Sequence, residues 1–516
     1  MAATTQHFAS SANDAPMQKI RSLYQGNRPD VKIRLNRERS VYTTLDQLDG
    51  VVTITCTSDI SFDDVEIEFV GTSRTFVERL TTAAAISGRS EAFHQFLKLQ
   101  QPDCREQYPA DRVFRAGQKY EFPFVFVVPQ HLLPRVCQHK AVSLAVRDAH
   151  LQLPPSFGDQ EHEDSTVSDD MVPEMASIRY GVFARVSKNK DAAEGEAKPI
   201  TIASKAKRLR VIPAHDEQPP LDVDGKDSEY TMRKERSIRK GVLKGKLGTL
   251  VMDANQPPSM VLQSHPTSDK QTTSRATIQL RFDPADSSCP PPRIGSLTSR
   301  LKVCTYFSST ARHTFPTKSS AITDLSQGMH SEQINLSSRC MAAVEWTKHD
   351  PKKAPSRRDS GMSISSTSML PHPEPSSTYK AGSPYYVAAL TVPLTLPSNK
   401  SFVPTFHSCL VSRIYQLKFE LGLQTAGLGG TLDLKVPFQL SCESTSNGDA
   451  SPRRGSVVTP AANEEESVDA YFAPRDVTNG PAPAYGLAGG VDMEDAPPGY
   501  SSFAPMRAFG TTLPVY

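Results

Sequence analysis

Apolar and polar residues alternate along several stretches of the first 215 residues, which is the pattern of half-buried β-strands. In VKIRLNRERSVY, Val31, Ile33 and Leu35 share one face, and Lys32 and Arg34 share the other. Six further stretches predict strands in the same block: DGVVTITCTS, DDVEIEFVG, EFPFVFVVP, AVSLAVRDAHLQLP, IRYGVFARVSK and KRLRVIPAH. Short strands separated by turn signals favour a sandwich over a sheet with helical crossovers.

Two local signals depart from this pattern. SEAFHQFLKL places Phe93, Phe96 and Leu97 at helical spacing after Ser90, a residue that can cap a helix, so this stretch predicts a short helix. Asp49-Gly50 predicts a turn before the strand that follows it.

A second strand-rich block follows. Its predicted strands are GVLKGKLGTLVMD, ATIQLRFDP, SRLKVCTYFSS, YYVAALTVPLTLP, RIYQLKFELGL and TLDLKVPFQLSCE. Residues 351–382, rich in Ser and Pro, predict a disordered insertion, and residues 1–29 and 443–516 predict disordered ends. The predicted fold is all-β, with two tandem immunoglobulin-type β-sandwiches over residues 30–215 and 230–442.

Composition narrows the function classes. The chain has 516 residues with a net charge of +2, so no overall field favours nucleic acid as a partner. The N-terminus lacks a signal-peptide pattern, and the apolar run 385–397 is too short to cross a bilayer as a helix, which favours a cytoplasmic protein with reduced thiols. No catalytic motif stands out. No two of the eight cysteines form a Cys-x-x-Cys pair, and the acidic stretch EHED (161–164) is typical of a solvated loop, so neither a metal site nor a cofactor is predicted.

Two ordered sets of residues resemble the N-terminal domain of the arrestin fold. The first set runs through VYTTLDQLDGVVTITCTSDISFDDVEIEFVG, with Tyr42, Asp46, Gly50, Val52, Phe69 and Gly71 at the matching positions. The second lies in FRAGQKYEFPFVFVVPQHLLP, with Gly117, Phe122, Pro123, Phe124, Phe126, Pro129, Leu133 and Pro134. Asp46 lacks the glycine that often precedes it. The basic stretch SIRKGVLKGKLGTLVMD is similar to the strand that opens the second arrestin-like domain of fungal α-arrestins.

This resemblance implies a non-enzymatic adaptor. Fungal α-arrestins recruit HECT-type ubiquitin ligases to plasma-membrane transporters or receptors, recognise the cytosolic tails of that cargo, and promote its ubiquitination and endocytosis. The expected location is the cytoplasm, peripherally at the plasma membrane and endosomes. The alternative is an endosomal sorting scaffold of the arrestin fold that works without ubiquitin. An enzyme would need a catalytic cluster that the sequence does not suggest.

The C-terminal tail contains a candidate ligase-binding motif. Pro497, Pro498 and Tyr500 form the motif Pro-Pro-x-Tyr, which is typical of WW-domain ligands. The two prolines favour the polyproline II conformation that packs on an aromatic groove, and the tyrosine fills a second pocket. The alternative is that these four residues occur by chance in a proline-rich tail. A weaker variant, formed by Leu513, Pro514 and Tyr516, ends the chain. Ala482-Pro483-Ala484-Tyr485 lacks the first proline, but several such motifs could engage tandem WW domains.

Modification sites complete the candidates. Ser360 in RRDS and Ser456 in RRGS match basophilic kinase patterns, and their phosphorylation could recruit a phosphoserine-binding adaptor that masks the ligase motif; unmodified loops are the alternative. Lys240, Lys244 and Lys246 are possible ubiquitin acceptors. The same lysines could touch anionic lipid, but protection of an exposed edge strand against aggregation is the favoured interpretation.

Overall fold

The fold is described from a computed structural model of the chain. It describes residues 28–443, apart from 80–87, 103, 159–168, 190–198, 224–226, 228, 241–244, 264–272, 352–371 and 425–429. The predicted all-β fold is confirmed, since long antiparallel strands make up most of the described residues.

The first sandwich packs a three-stranded sheet on a four-stranded sheet. The strand orders are β1-β2-β7 and β5-β4-β8-β9, with a small β3-β6 pair beside them. The strands are β1 Asp30–Leu35, β2 Gln47–Thr55, β3 Ile60–Ser61, β4 Asp64–Arg79, β5 Gly88–Gln100, β6 Val113–Phe114, β7 Lys119–Val127, β8 Ala176–Asn189 and β9 Pro199–Leu209. Val52, Ile54 and Phe122 from one sheet meet Ile67 and Phe69 from the other in a single core.

The second sandwich has two larger sheets. One has the order β10-β11-β13-β17-β16; the other has β15-β14-β19-β18, with β20 also pairing with β19, and β12 pairs in parallel with β21. The strands are β10 Arg233–Arg239, β11 Lys246–Ala254, β12 Met260–Leu262, β13 Thr273–Pro284, β14 Arg293–Ser308, β15 Gln327–Cys340, β16 Thr347–His349, β17 Tyr385–Thr395, β18 Phe406–His407, β19 Val411–Gln424, β20 Gly430–Phe438 and β21 Leu440–Cys442.

The helix predicted at residues 90–99 is wrong, because these residues form most of β5. Leu97 pairs with Gly71 while Gln95 pairs with Thr72, so Phe96 is an extra residue in the ladder. This bulge buries two consecutive side chains, Phe96 and Leu97. A bulge therefore produced the apolar spacing that resembles a helical face.

The strand predicted at residues 141–154 is also wrong. Helix α1 spans Leu144–Leu151, and the Ser143 hydroxyl accepts a hydrogen bond from the Val146 N–H at 3.3 Å, as a helix N-cap does. Val146 and His150, one helical turn apart, are the buried residues of α1. A second helix, α2, spans Lys318–Thr323.

The turn predicted at Asp49-Gly50 lies inside β2, where Gly50 pairs with Leu35 on one side and Phe124 on the other. A Cβ at Gly50 would lie 2.4 Å from the Arg34 carbonyl oxygen. Glycine is needed at this position for the close approach of two strands.

Part of the predicted disordered insertion 351–382 has a defined place. Residues 352–371 lie outside the described residues, but residues 372–382 lie against the second sandwich. Ser376 is buried, and its N–H donates to the Asp283 carboxylate at 2.8 Å. The Pro373 carbonyl accepts a hydrogen bond from Arg281 at 3.1 Å.

At the junction, residues of the second block pack into the core of the first sandwich. Five residues before β19 or at its start pack into the first sandwich's core: Val403, Phe406, Cys409, Leu410 and Val411. The Phe157 and Phe406 rings meet edge to face, with their centroids 5.5 Å apart. His215 and Cys442 exchange backbone hydrogen bonds of 2.8 and 2.9 Å, which hold the connecting segment against the end of the second sandwich.

Candidate functional site

Most of the site residues predicted from the sequence lie outside the described residues. These are Ser360, Lys244, Ser456 and the tail motif residues Pro497, Pro498, Tyr500, Leu513, Pro514 and Tyr516. The acidic stretch 161–164 also lies outside them. Predictions on these residues therefore stay predictions.

Lys240 and Lys246 are described, and both are exposed. They flank the connection between β10 and β11, and β10 is an edge strand of its sheet. The Lys240 N–H donates to the Gly245 carbonyl at 3.1 Å, and the Lys246 ammonium donates to the Thr378 hydroxyl at 3.2 Å. Lys240 follows the edge strand β10 and Lys246 opens the inner strand β11, so, contrary to the prediction, neither lysine lies on an edge strand. Their exposed amines are accessible to modification.

A basic groove crosses the outer face of the second sandwich. It encloses about 180 Å³, and its lining includes five cationic side chains, Arg300, Lys302, Lys318, Lys418 and Lys435. The sheet alternation creates it, because Leu301, Val303, Leu417 and Phe419 point into the core while their neighbours point outward.

One carboxylate lies in this basic groove. Glu229 accepts hydrogen bonds from the Tyr306 hydroxyl, at 3.3 Å, and from the Lys318 backbone N–H. The Gln416 amide donates to the Glu229 carbonyl oxygen at 2.6 Å. Burial raises the pKa of Tyr306, so it stays a neutral donor. With five cations around one acid, the groove favours an anionic ligand.

The arrestin-like residues of the first sandwich have structural roles. The Tyr42 hydroxyl donates to the Arg37 carbonyl at 2.8 Å, and burial raises the pKa of Tyr42. The Asp46 carboxylate accepts from the Thr43 N–H at 2.8 Å and pairs with Arg39 at 2.7 Å. These contacts close the loop between β1 and β2, so this part of the signature stabilises the fold and does not form a reactive site.

Arg413 links the two sandwiches. This fully buried residue of β19 donates to the carbonyl oxygens of Asp170 and Met171, at 3.0 and 3.2 Å. Its guanidinium also lies 4.7 Å from the centre of the Phe157 ring. Burial lowers the pKa of Arg413, and the carbonyl and ring contacts offset part of that desolvation.

A cysteine and histidine cluster lies at the same junction. Its members are Cys137, His139, His150 and Cys409, all buried, and their ligand atoms lie within 4.8 Å of one another. Cys137 Sγ is 3.3 Å from His139 Nε2 and 3.6 Å from His150 Nδ1. Cys409 Sγ is 3.3 Å from His139 Nε2. Three members come from the first sandwich and one from the second.

The pKa values of the two thiols in the Cys/His cluster shift in opposite directions. Hydrogen bonding with Cys409, and then with the two imidazoles, lowers the pKa of Cys137. The same hydrogen bond, together with burial, raises the pKa of Cys409. Sequence analysis predicted no metal site, because spacing rules find ligands that are close in sequence, and His139 and Cys409 are 270 residues apart. The sequence signal that could have drawn attention to it is Cys137-x-His139, with His150 following on a short helix.

Comparison with known proteins identifies the fold family of the first sandwich. Residues 31–208 match the family described as "Arrestin (or S-antigen), N-terminal domain". No curated protein matches the chain. Within the described residues, no helix is long and apolar enough to span a membrane. The first sandwich is therefore arrestin-like, and proteins with this domain generally act as adaptors or scaffolds, which supports an adaptor role in general.

Proposed function

We propose that this protein is an α-arrestin-like adaptor that brings a WW-domain HECT-type ubiquitin ligase to plasma-membrane cargo. The observation that carries the proposal is a Pro-Pro-x-Tyr motif, Pro497 to Tyr500, in the same chain as an arrestin-like sandwich. The adaptor performs no chemistry. It raises the local concentration of ligase at the cargo, so that ubiquitin transfer and endocytosis follow.

The motif chemistry supports the ligase half of the proposal. Adjacent prolines favour the polyproline II conformation, so little chain entropy is lost on docking into an aromatic groove. Tyr500 presents a ring for a pocket and a hydroxyl for a hydrogen bond. Leu513, Pro514 and Tyr516 offer a second, weaker contact for a tandem WW domain.

The basic groove supports the cargo half. Its exposed and half-exposed cations, with Lys302 and Lys418 near the middle of their strands, favour an acidic or phosphorylated segment of a transporter or receptor tail. Lys240 and Lys246 offer exposed amines for ubiquitin on the adaptor itself. Phosphorylation of Ser360 or Ser456 would add negative charge and create a binding site for a phosphoserine-reading adaptor.

A titration of the full-length protein with the WW domains of a HECT ligase tests the proposal. We expect micromolar binding that Tyr500→Ala weakens strongly and that Tyr500→Ala with Tyr516→Ala abolishes. Tyr471→Ala is the matched control, because Tyr471 lies in the same tail without a proline two or three residues before it. Binding that survives loss of Tyr485, Tyr500 and Tyr516 would refute the ligase link.

Deletion of residues 443–516 separates the adaptor from the alternative sorting scaffold. An adaptor loses cargo ubiquitination and endocytosis on this deletion, whereas a ubiquitin-independent scaffold keeps its sorting function. Lys302→Glu with Lys418→Glu tests the groove separately, since these changes should weaken cargo binding and leave WW-domain binding unchanged.

A further inference from the structure

We propose that Cys137, His139, His150 and Cys409 form a tetrahedral zinc site that fastens the two sandwiches together. Zinc in structural sites binds four cysteine or histidine ligands at about 2.3 Å for sulfur and about 2.0–2.1 Å for nitrogen. The Cys/His cluster offers a complete Cys2His2 set with four buried donor atoms.

The distances between the donors fit that geometry. A tetrahedral ion with those bond lengths separates its sulfur and nitrogen ligands by about 3.6 Å and its two sulfurs by about 3.8 Å. The three sulfur–nitrogen distances in the cluster are 3.3, 3.6 and 3.3 Å, and every pair of donor atoms lies within 4.8 Å. The donors therefore surround one point, and the three sulfur–nitrogen distances differ from the tetrahedral value by a few tenths of an ångström at most.

Separate backbone elements hold three of the four ligands. Cys137 ends the 3-10 turn Pro134–Val136, and its N–H donates to the Pro134 carbonyl at 3.2 Å. His150 lies in the last turn of α1. Cys409 lies between β18 and β19, and its carbonyl accepts from the Arg312 N–H at 3.0 Å.

The surroundings of the Cys/His cluster are also those of a metal site. His139 Nδ1 lies 3.4 Å from the Lys140 carbonyl oxygen, which would fix the tautomer that leaves Nε2 for the metal. Ligand chemistry favours zinc, because thiolates with imidazoles select soft or borderline ions over magnesium or calcium. Four protein ligands leave no position for substrate, so the site is structural.

A simpler explanation is a set of thiol–imidazole hydrogen bonds in a protein core. Thiols are weak donors, however, and two buried imidazoles and two buried thiols meeting at one point satisfy one another poorly. A zinc ion would replace these weak contacts with four coordinate bonds. It would also join α1 of the first sandwich to the start of β19 in the second, at a junction that Arg413 already crosses.

Metal analysis of the full-length protein tests the site. We expect about one equivalent of zinc per chain after purification without chelator. Cys409→Ser and His150→Gln should each lose most of this zinc. The matched controls are Cys304→Ser and His215→Gln, which change a buried cysteine and a buried histidine outside the cluster and should keep it.

Cobalt substitution of the wild-type protein supplies a readout that does not depend on variants that fold. Cobalt(II) in this site should show the intense visible bands of tetrahedral coordination and a thiolate-to-cobalt charge-transfer band. Absence of zinc from the wild-type protein, retention of zinc by both cluster variants, octahedral cobalt spectra, or a Cys137–Cys409 disulfide in place of metal would each overturn the proposal.

Discussion

Leu45 adopts a backbone conformation that leucine disfavours, with φ at 66°. It immediately precedes Asp46, which closes the loop before β2 through hydrogen bonds to Thr43 and Arg39. Arrestin-like sequences often place glycine at this position, and the left-handed backbone gives the physical reason. We predict that Leu45→Gly is more stable than Leu45→Ala.

The magnitude follows from three contributions. A left-handed conformation costs an L-residue about 1–2 kcal/mol, and glycine avoids this cost. Relative to alanine, glycine lowers the free energy of unfolding by about 0.4–1 kcal/mol, because it increases the conformational entropy of the unfolded chain. Leu45 is 65% exposed, so its side chain contributes little packing, and that loss is common to both variants. The glycine variant should therefore exceed the alanine variant by about 0.5–1 kcal/mol, or about 1–4 °C in Tm.

Thermal unfolding of both variants checks this difference, with Val125→Gly and Val125→Ala as the matched pair. Val125 is an exposed residue inside β7, where extended backbone makes glycine less stable than alanine by about 0.5–1 kcal/mol. Glycine should therefore give a higher Tm than alanine at position 45 and a lower Tm than alanine at position 125. Glycine lowering the Tm at both positions by similar amounts would refute the role assigned to the Leu45 backbone.

Three further predictions concern stability. Gly50→Ala should cost about 1–3 kcal/mol, because its Cβ would meet a strand carbonyl oxygen at 2.4 Å; an unchanged Tm would contradict this packing. Thr75→Val should cost about 1–3 kcal/mol in denaturant unfolding, because it removes a buried 2.5 Å hydrogen bond to the Ser308 carbonyl across the junction; a stability equal to wild type would contradict it. Burial lowers the pKa of His215 in the folded state. As the pH falls through the ordinary histidine pKa, the unfolded chain binds a proton that the folded chain does not, so the free energy of unfolding decreases. His215→Gln should reduce that loss by up to about 1.4 kcal/mol per pH unit below about pH 6.5, measured by unfolding across that range; parallel pH profiles would contradict it.

Sequence reasoning predicted the fold well where strand periodicity was regular. Most of the long strands overlap the stretches whose alternation predicted them, because one face of each sheet is buried and the other is hydrated. Sequence reasoning missed β15 Gln327–Cys340 and β10 Arg233–Arg239, which lie outside all of these stretches. Sequence reasoning failed where a bulge or a short helix changed the spacing of apolar residues. The extra residue Phe96 in β5 produced an apparent helical face, and a short helix capped by Ser143 produced an apparent strand.

The junction was harder to predict than the strands. The Cys/His cluster and the Arg413 contacts depend on the packing of the first sandwich against residues more than 200 positions later. No local pattern encodes such proximity, since it arises from how two sheets meet. The proposed tail motif is the opposite case, because a Pro-Pro-x-Tyr ligand is defined by a few adjacent residues that are readable in the sequence alone.

The junction also determines where the proposed ligase would act. β21 ends at Cys442, whose backbone pairs with His215, so the tail leaves the fold at the contact between the sandwiches. Roughly 50 residues separate this point from Pro497, and a polar, proline-containing chain of that length, which the sequence predicts to be disordered, has a typical span of about 40 Å. The size scaling of compact domains gives a similar diameter for one sandwich. A tether of that length starts at the junction, so a junction held in one geometry would keep the proposed ligase within a fixed reach of the second sandwich and its basic groove. On this reasoning, loosening the junction through the Cys/His cluster should lower ubiquitin transfer to cargo without changing WW-domain affinity.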